Sequence, residues 1–512
     1  MIPWPSSPSL FPCLLFLLLM VICWKRYKAR GPILKLPPGP RKLPLLGNLL
    51  QLIGSGSIPH RSLRDIAKKY GPVMHLKLGE VSTVIISSPK AASEVMKTHD
   101  LSFAERPSVL ASEVIPFAHS GFFACPFNDY YRKMRKICTQ ELLGAQRNHL
   151  FRSLREKEVW NLIESISSSQ GLPINLSEKL LSMTISRAAF GEKCKSQNEY
   201  ILLIKEMMAI SSGFNVADLF PSLRFLGFIS GLKPALKRVY LRIDKILQEI
   251  IDDHKMEMMT IGTSKDFPGK EDLIHVLLKV RESSELKLDI TAEHIKGVSM
   301  FNLFQDIYIG AGESSATTLE WAMSELIRNP RVMEKAQAEV RQVLRGKRAV
   351  EETDIQQLDY VKSVIKETLR LHPPVPLLIR ECKERCKISA YDIPIKTKVI
   401  INVAAIGRDP ESWINADCFQ PERFQGSSVD FIGTDFEFIP FGAGRRMCPG
   451  LPFGAATVEF ALAQLLYHFD WKPPNGIKPE ELDMTEAFGA VCRRRNDLYL
   501  IATPRTPFLI ET

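Results

Sequence analysis

Phe438-Ile439-Pro440-Phe441-Gly442-Ala443-Gly444-Arg445-Arg446-Met447-Cys448-Pro449-Gly450 is the stretch on which the reading of this chain turns. It fits F-x-x-G-x-R-x-C-x-G at Phe441, Gly444, Arg446, Cys448 and Gly450. A lone cysteine is ordinarily a small buried hydrophobe, but five matched positions within about ten residues set this one apart from chance. Just beyond it, Ala455 to Leu466 reads as a helix. The other nine of the ten cysteines carry no such context. They are too sparse among 512 residues for a stapled secreted domain. Cys382 and Cys386 lie close together, without a second pair at zinc spacing. A reducing compartment is the expectation. With 45% hydrophobic and 24% charged residues, the composition excludes collagen-like, disordered and disulfide-scaffold classes.

On these residues the chain resembles the cytochrome P-450 family, the haem-thiolate monooxygenases, of the plant microsomal type. The resemblance implies haem b with Cys448 as the axial thiolate and only metal ligand. Such a ligand pushes electron density toward iron and favours O–O cleavage. The motif's glycines, Gly444 and Gly450 among them, would let the backbone pass close to a flat macrocycle and aim N–H groups at the sulfur. The positive end of the helix after the loop would favour a thiolate. Arg446 suits a haem propionate through charge-assisted hydrogen bonds. Phe441 and Arg380 complete this part of the cofactor-binding set.

Further matches follow in family order. Glu367-Thr368-Leu369-Arg370 places acid and base on one helix face at i, i+3. With Pro421-Glu422-Arg423-Phe424 it resembles the family's buried cluster of Glu367, Arg370 and Arg423, assigned to structure and haem retention. Tyr131 to Arg135 resembles W-x-x-x-R, with Arg135 implied as a propionate ligand and Tyr131 standing where the family has tryptophan. Ala404 is a second departure from a usual tryptophan. Gly310-Ala311-Gly312-Glu313-Ser314-Ser315-Ala316-Thr317-Thr318 resembles the oxygen-activating segment. Glu313 takes the acid position and Ser314 the usual threonine position, so the pair would relay protons through water. Ser314 keeps the hydroxyl but loses the methyl that fixes its rotamer.

The organisation around these motifs is simple. Met1 to Trp24 carries no charged side chain and is followed by Lys25, Arg26, Lys28 and Arg30. Charges after the apolar run favour an uncleaved anchor over a signal peptide and leave the rest cytosolic. We expect an anchor at 1–24, a basic flank and Pro-rich hinge at 25–48, and one catalytic domain at 49–512. The expected fold class is mostly α with a minor β portion (α+β). His75 to Ser88 reads as a hairpin turning near Gly79-Glu80. Thr291 to Asn329 and Asp354 to His372 read as helices, and Lys398 to Val403 as a strand. Gly54-Ser55-Gly56 lacks a third glycine and follows no strand, and no P-loop appears, so the chain carries no nucleotide-binding domain of its own.

The resemblance therefore implies O2 and NADPH as cosubstrates, with electrons delivered by a separate NADPH-cytochrome P-450 reductase in the endoplasmic reticulum membrane. The net charge of +10 fits a membrane face or an acidic electron donor, and no nucleic acid partner is expected. By family analogy the pocket includes Phe117, Phe122, Phe214, Phe304, Ile307, Val375, Leu378 and Phe488. These point to a large apolar substrate such as a terpenoid, and a resemblance to terpene-oxidising members at Lys42-Leu43-Pro44-Leu45-Leu46-Gly47-Asn48 and Pro72-Val73-Met74 narrows the expectation to a diterpenoid. Two alternatives stay open: an isomerase or lyase acting on a peroxide without external electrons, and a non-catalytic haem-binding scaffold.

Overall fold

The computed structural model describes residues 34–53, 58–110, 125–143, 151–169, 171–186, 197–210, 215–225, 227, 230–261, 298–347 and 350–505, together with residue 20. The expected anchor and basic flank fall outside these residues, residue 20 apart. Among the described residues no helix is long and apolar enough to cross a membrane.

Helices dominate. Those that frame the site are α1 (Pro59–Tyr70), α2 (Asp129–Lys136), α3 (Val298–Arg328), α4 (Pro330–Val343), α5 (Asp359–Leu371) and α6 (Leu451–His468). The four-stranded sheet is built from β1 (Val73–Leu78), β2 (Val81–Ile86), β3 (Leu377–Glu381) and β4 (Lys398–Asn402), in the order β1-β2-β4-β3. The expected hairpin is the antiparallel β1–β2 pair, with Leu78 opposite Val81 across Gly79-Glu80. Strand β4 runs parallel to β2, pairing Thr83 with Lys398, and antiparallel to β3, pairing Arg380 with Val399. A smaller hairpin, β5 (Glu486–Ala487) and β6 (Arg493–Arg494), lies near the C-terminus.

The long helix α3 is unbroken through Gly310 and Gly312. It ends where Asn329 turns its amide back onto the Glu325 carbonyl at 2.8 Å and Pro330 starts the next helix. Residues 291–297 of the expected helix lie outside the described part. The segment read as one helix over 354–372 divides into a 3-10 turn, Asp354–Gln357, and α5. The division has a local cause. Leu358 is buried at ψ 71°, and the Glu339 carboxylate accepts from the first amides of α5, Tyr360 N at 2.8 Å and Val361 N at 3.0 Å. An acid at a helix N-terminus is favoured by the helix dipole. Similarly, the predicted strand 398–403 stops at Asn402, whose side chain caps Ala405 N at 3.0 Å and opens the short helix Val403–Ile406.

The main core packs Leu319, Met323 and Leu326 of α3 against Val361, Val364 and Ile365 of α5 and Ala461, Leu462 and Leu465 of α6, all buried. Each fully buried aliphatic side chain contributes about 1.5–3 kcal/mol. This core packs α3 against α6, the helix that follows the cysteine loop. Ser315 Oγ lies 3.8 Å from where a Cβ on Gly454 would stand.

Candidate active site

Cys448 sits on a tight loop whose ends are closed by its own amide donating to the Phe441 carbonyl at 3.0 Å. The helix after it begins at Leu451, four residues before the predicted start, with Gly450 as its N-cap and a proline in its first turn. Pro452 suits that position because the first-turn amides have no intrahelical partner. Cys448 is exposed as a residue, while protein encloses its thiol closely. Burial pushes the Cys448 thiol up, while the amides of Gly450 and Leu451 and the charge of Arg135 pull it down. The expected helix-end stabilisation of a thiolate is therefore present, and burial outweighs it.

Gly444 adopts φ +69°, and a Cβ there would meet the Met96 carbonyl oxygen at 2.3 Å and the Asp100 carboxylate at 2.7 Å. Packing against the Glu94–Phe103 segment thus demands this glycine. At Gly450 a Cβ would make ordinary contacts, 3.8 Å to Leu143 and 4.0 Å to Cys448 Sγ. Phe441 is half-buried and its ring lies 5.2 Å from that of Phe431.

Two residues from α2 brace this loop. Arg135 Nη1 donates to the Met447 carbonyl at 2.7 Å, directly before the cysteine. The Tyr131 hydroxyl donates to the Arg445 carbonyl at 3.1 Å, and its buried ring lies 3.9 Å from the Arg446 guanidinium carbon. The tyrosine that stands in for tryptophan thus supplies both a hydrogen bond and a cation–π face. In this structure Arg135 contacts loop backbone.

Arg446 donates to the carbonyls of Ala104, at 2.8 Å, and Cys125. Beside it lie Arg380, on β3, and Arg106, which sequence reasoning missed. Burial lowers all three guanidiniums below their ordinary range, Arg380 to about 10, and repulsion from neighbouring guanidiniums adds to it at Arg106 and Arg380. Among the described residues Arg106 and Arg380 have no carboxylate at ion-pair distance, and Arg106 Nε is buried without a hydrogen-bond partner. Uncompensated buried positive charge is costly unless an anion joins it. The residues present therefore fit a dianionic group such as the propionates of the implied haem. No local signal marked Arg106 in Phe103-Ala104-Glu105-Arg106-Pro107, because its neighbours come from residues 380 and 446.

The predicted Glu367 cluster is fully assembled. Arg370 clamps Glu367 with two bonds of 2.7 and 2.8 Å, Arg423 Nε lies 3.0 Å from the same carboxylate, and Gln420 N donates to it at 2.7 Å. Arg370 also donates to the carbonyls of Gly407, Ala416 and Cys418. Both guanidiniums stack near Trp413, whose ring meets Phe424 and Phe438. Phe438 opens the cysteine-loop segment, so the cluster connects physically to it.

On α3, Glu313 is buried and Ser314 half-buried. The Ser314 hydroxyl donates to the Gly310 carbonyl, one turn back, and Thr318 Oγ1 donates to the Ser314 carbonyl at 2.8 Å. The helix is continuous through residues 310–312, and side-chain bonds to i−4 carbonyls add to this turn. Of the pocket residues, Val375, Leu378 and Phe488 are described, and all are half-buried. Leu378 reaches toward the cysteine loop, 3.4 Å from where a Cβ on Gly442 would be. Phe117, Phe122 and Phe214, and the side chains of Phe304 and Ile307, lie outside the described residues.

One further grouping has metal-ligand composition. His60, Glu486 and Cys492 are all buried, and their ligand atoms lie within 4.8 Å of one another. Arg61 Nε already faces the same carboxylate at 2.9 Å, and half-buried Arg408 adds positive charge, so a cation is disfavoured there.

Comparison with known proteins agrees with the fold and the loop. The family model described as cytochrome P450 matches residues 37–501. A melianol synthase of Ailanthus altissima is 52% identical over 98% of this chain and 96% of its own. A desmethyl-deoxy-podophyllotoxin synthase of Sinopodophyllum hexandrum is 51% identical over 97% of each. A premnaspirodiene oxygenase of Hyoscyamus muticus is 48% identical over 98% of this chain and 99% of its own. A zebra fish cytochrome P450 solved with progesterone shares the fold at TM-score 0.73 and 22% identity, covering 88% of this chain and all of that one. A cysteine loop braced from α2, a buried acid beside a hydroxyl on α3 and a match spanning nearly the whole chain converge: the protein belongs to the cytochrome P450 family and is a monooxygenase.

Proposed function

We propose that Cys448 would ligate the iron of a bound haem b through its thiolate and that Arg106, Arg380 and Arg446 would hold the propionates. When bound, the haem supplies the capacity to activate O2 for insertion of one oxygen atom into a C–H bond. The chain's own contribution is placement. Arg135 and Tyr131 fix the carbonyls on either side of Arg446, and the Glu367–Arg370–Arg423 cluster anchors the segment leading into the loop. Glu313 and Ser314 deliver protons. For that step the Ser314 hydroxyl exchanges its bond to Gly310 for one to water. Replacing Ser314 with threonine fixes this rotamer and lowers the ratio of peroxide released to product formed; an unchanged ratio refutes the role.

The substrate we propose is a large apolar plant specialised metabolite, a terpenoid, which the enzyme hydroxylates or oxidises further. The observation that carries this is about half identity, over nearly whole chains, to relatives that include a premnaspirodiene oxygenase and melianol synthases. The narrower choice of a diterpenoid rests only on residues 42–48 and 72–74. A relative of equal identity bears the unrelated product name podophyllotoxin, so the substrate test must be broad. Electrons come from NADPH through a separate reductase at the endoplasmic reticulum membrane, where residues 1–24 anchor the chain.

The test is co-expression with a plant reductase and incubation of microsomes with sesqui-, di- and triterpenes, read by mass spectrometry. A product gaining one oxygen in an NADPH-dependent manner supports the proposal. Turnover with a peroxide but not with NADPH overturns it in favour of an isomerase or lyase. Cys448→Ala abolishes the thiolate signature of the reduced, carbon-monoxide-bound spectrum; its persistence would refute the ligand assignment.

A further inference from the structure

The β5–β6 hairpin carries Phe488, Gly489, Ala490 and Val491 at its tip, all half-buried, and its base is tied down from several directions. From α3, Trp321 Nε1 donates to the Cys492 carbonyl at 3.3 Å, and Ser324 Oγ accepts from Arg494 Nη1 at 3.0 Å. The Pro374 carbonyl, just past α5, accepts from Cys492 N at 2.8 Å. On the opposite strand stands Glu486, a buried carboxylate paired across the hairpin with Arg494. Arg61 Nε lies 2.9 Å from it, His60 Nε2 3.3 Å and His372 Nδ1 3.7 Å.

This grouping connects elements far apart in sequence. His372 also meets Glu325 of α3 at 2.7 Å and stacks on Trp321 with centroids 4.1 Å apart and planes within 5°. The His60 ring centroid lies 6.3 Å from that of Phe488. Burial raises the Glu486 carboxyl, but the close approach of His372 and His60 and the charge of Arg61 hold it well below the usual carboxylate range. Burial lowers the His60 imidazole from its ordinary value, and the guanidinium of Arg61 supplies a full opposing charge beside the carboxylate. A buried carboxylate held this way is costly to move, since displacement would strand it without partners.

We propose that Glu486 is a positioning residue for the substrate: through His60, Arg61 and His372 it holds the β5–β6 tip, and with it Phe488, where a large apolar substrate is oriented. This rests on the pocket reading of Phe488 given above. The seam joins α1, α3 and α5 to the tip, so its failure changes how a bulky ligand fits while leaving the cysteine loop intact.

The test uses the haem-loaded enzyme and spectral titration with two probes. Imidazole reports the cofactor alone, and clotrimazole, an imidazole carrying a bulky triaryl group, reports the pocket as well. Glu486→Gln and Phe488→Ala each weaken clotrimazole roughly tenfold, a change of about 1.4 kcal/mol, while imidazole affinity is unchanged. Glu486→Asp restores part of the loss. Hydrogen exchange at 487–493 is faster in Glu486→Gln and at the wild-type rate in Phe488→Ala. Should Glu486→Gln fail to load haem, Arg61→Gln removes the half-exposed partner and shows the same changes at smaller size. Wild-type clotrimazole affinity and exchange in the Glu486 and Arg61 variants, with affinity lost in Phe488→Ala, overturn the clamp and leave the pocket standing. Unchanged clotrimazole affinity in Phe488→Ala overturns the pocket reading of that residue and the clamp with it.

Discussion

Two arginine clusters of this protein obey opposite rules. Around Glu367, the guanidiniums of Arg370 and Arg423 are matched by a carboxylate and by the carbonyls of Gly407, Ile414, Ala416 and Cys418. Around Arg446, the guanidiniums of Arg106 and Arg380 meet other positive charge and no carboxylate at ion-pair distance among the described residues. The first cluster is complete in protein alone and acts as framework. The second holds positive charge that the carbonyl of Ile379 alone does not neutralise, which is the condition for an anion site. Residue type does not separate them; the charge that faces each arginine does.

The sharpest way to break this contrast is to remove the carboxylate. Glu367→Gln strands two largely buried guanidiniums and is expected to cost about 3–5 kcal/mol of stability, as removal of one partner of a buried pair does. Denaturant unfolding checks it, and a wild-type midpoint would place the cluster outside the framework. Arg380→Leu should act with the reverse sign. It relieves like-charge repulsion, so the haem-free protein unfolds at the same or a higher denaturant concentration. Haem transfer to an acceptor globin meanwhile accelerates by roughly tenfold to a hundredfold, the worth of one charge-assisted bond of about 1.5–3 kcal/mol. Equal loss of stability in both forms would erase the distinction.

Smaller effects sharpen it further. Tyr131→Phe keeps the ring beneath Arg446 but loses the bond to the Arg445 carbonyl, which predicts a loss of about 0.5–1.5 kcal/mol in thermal unfolding of the haem-loaded protein. The exposed pair Arg331–Glu422, at 2.9 Å, marks the lower limit. Although burial works against it, the hydrogen bond from Arg331 brings the Glu422 carboxyl down to about 2 from 4.5. The folded value lies below the unfolded one, so this stabilisation is full above pH 4.5 and is lost as pH falls toward 2. Solvent screening limits it to about 0–1 kcal/mol. Arg331→Gln and the wild type should therefore differ slightly at neutral pH and converge in acid.

The same contrast explains what could be read in advance. Glu367 and Arg370 are three residues apart on one helix face, and the matched positions of the cysteine loop fall within ten residues, so both announce themselves locally. The helix after Cys448 was legible in kind but began four residues early, because Gly450 and Pro452 start it as a cap and first-turn pair. Arg106 was illegible because its meaning comes from residues 380 and 446. Glu486 was illegible for the same reason, with partners at 60, 61 and 372. The backbone role of Arg135 depended on where the Met447 carbonyl came to rest, which no spacing encodes.

The parallel pairing of β2 with β4 has a consequence in time. Hairpin β1–β2 emerges early in synthesis, but the strand that covers its apolar edge of Val84, Ile85 and Ile86 begins at Lys398. At about 5–20 residues per second, that edge waits roughly a quarter of a minute to a minute for its partner. Unpaired apolar strands are templates for association. The nascent chain thus passes through an interval in which its sheet is half-made and Arg380, which arrives with β3, has no strand to hold it. The cluster of Arg106, Arg380 and Arg446 is therefore among the last features of the fold to form, and any anion it takes must be loaded after nearly the whole chain has emerged.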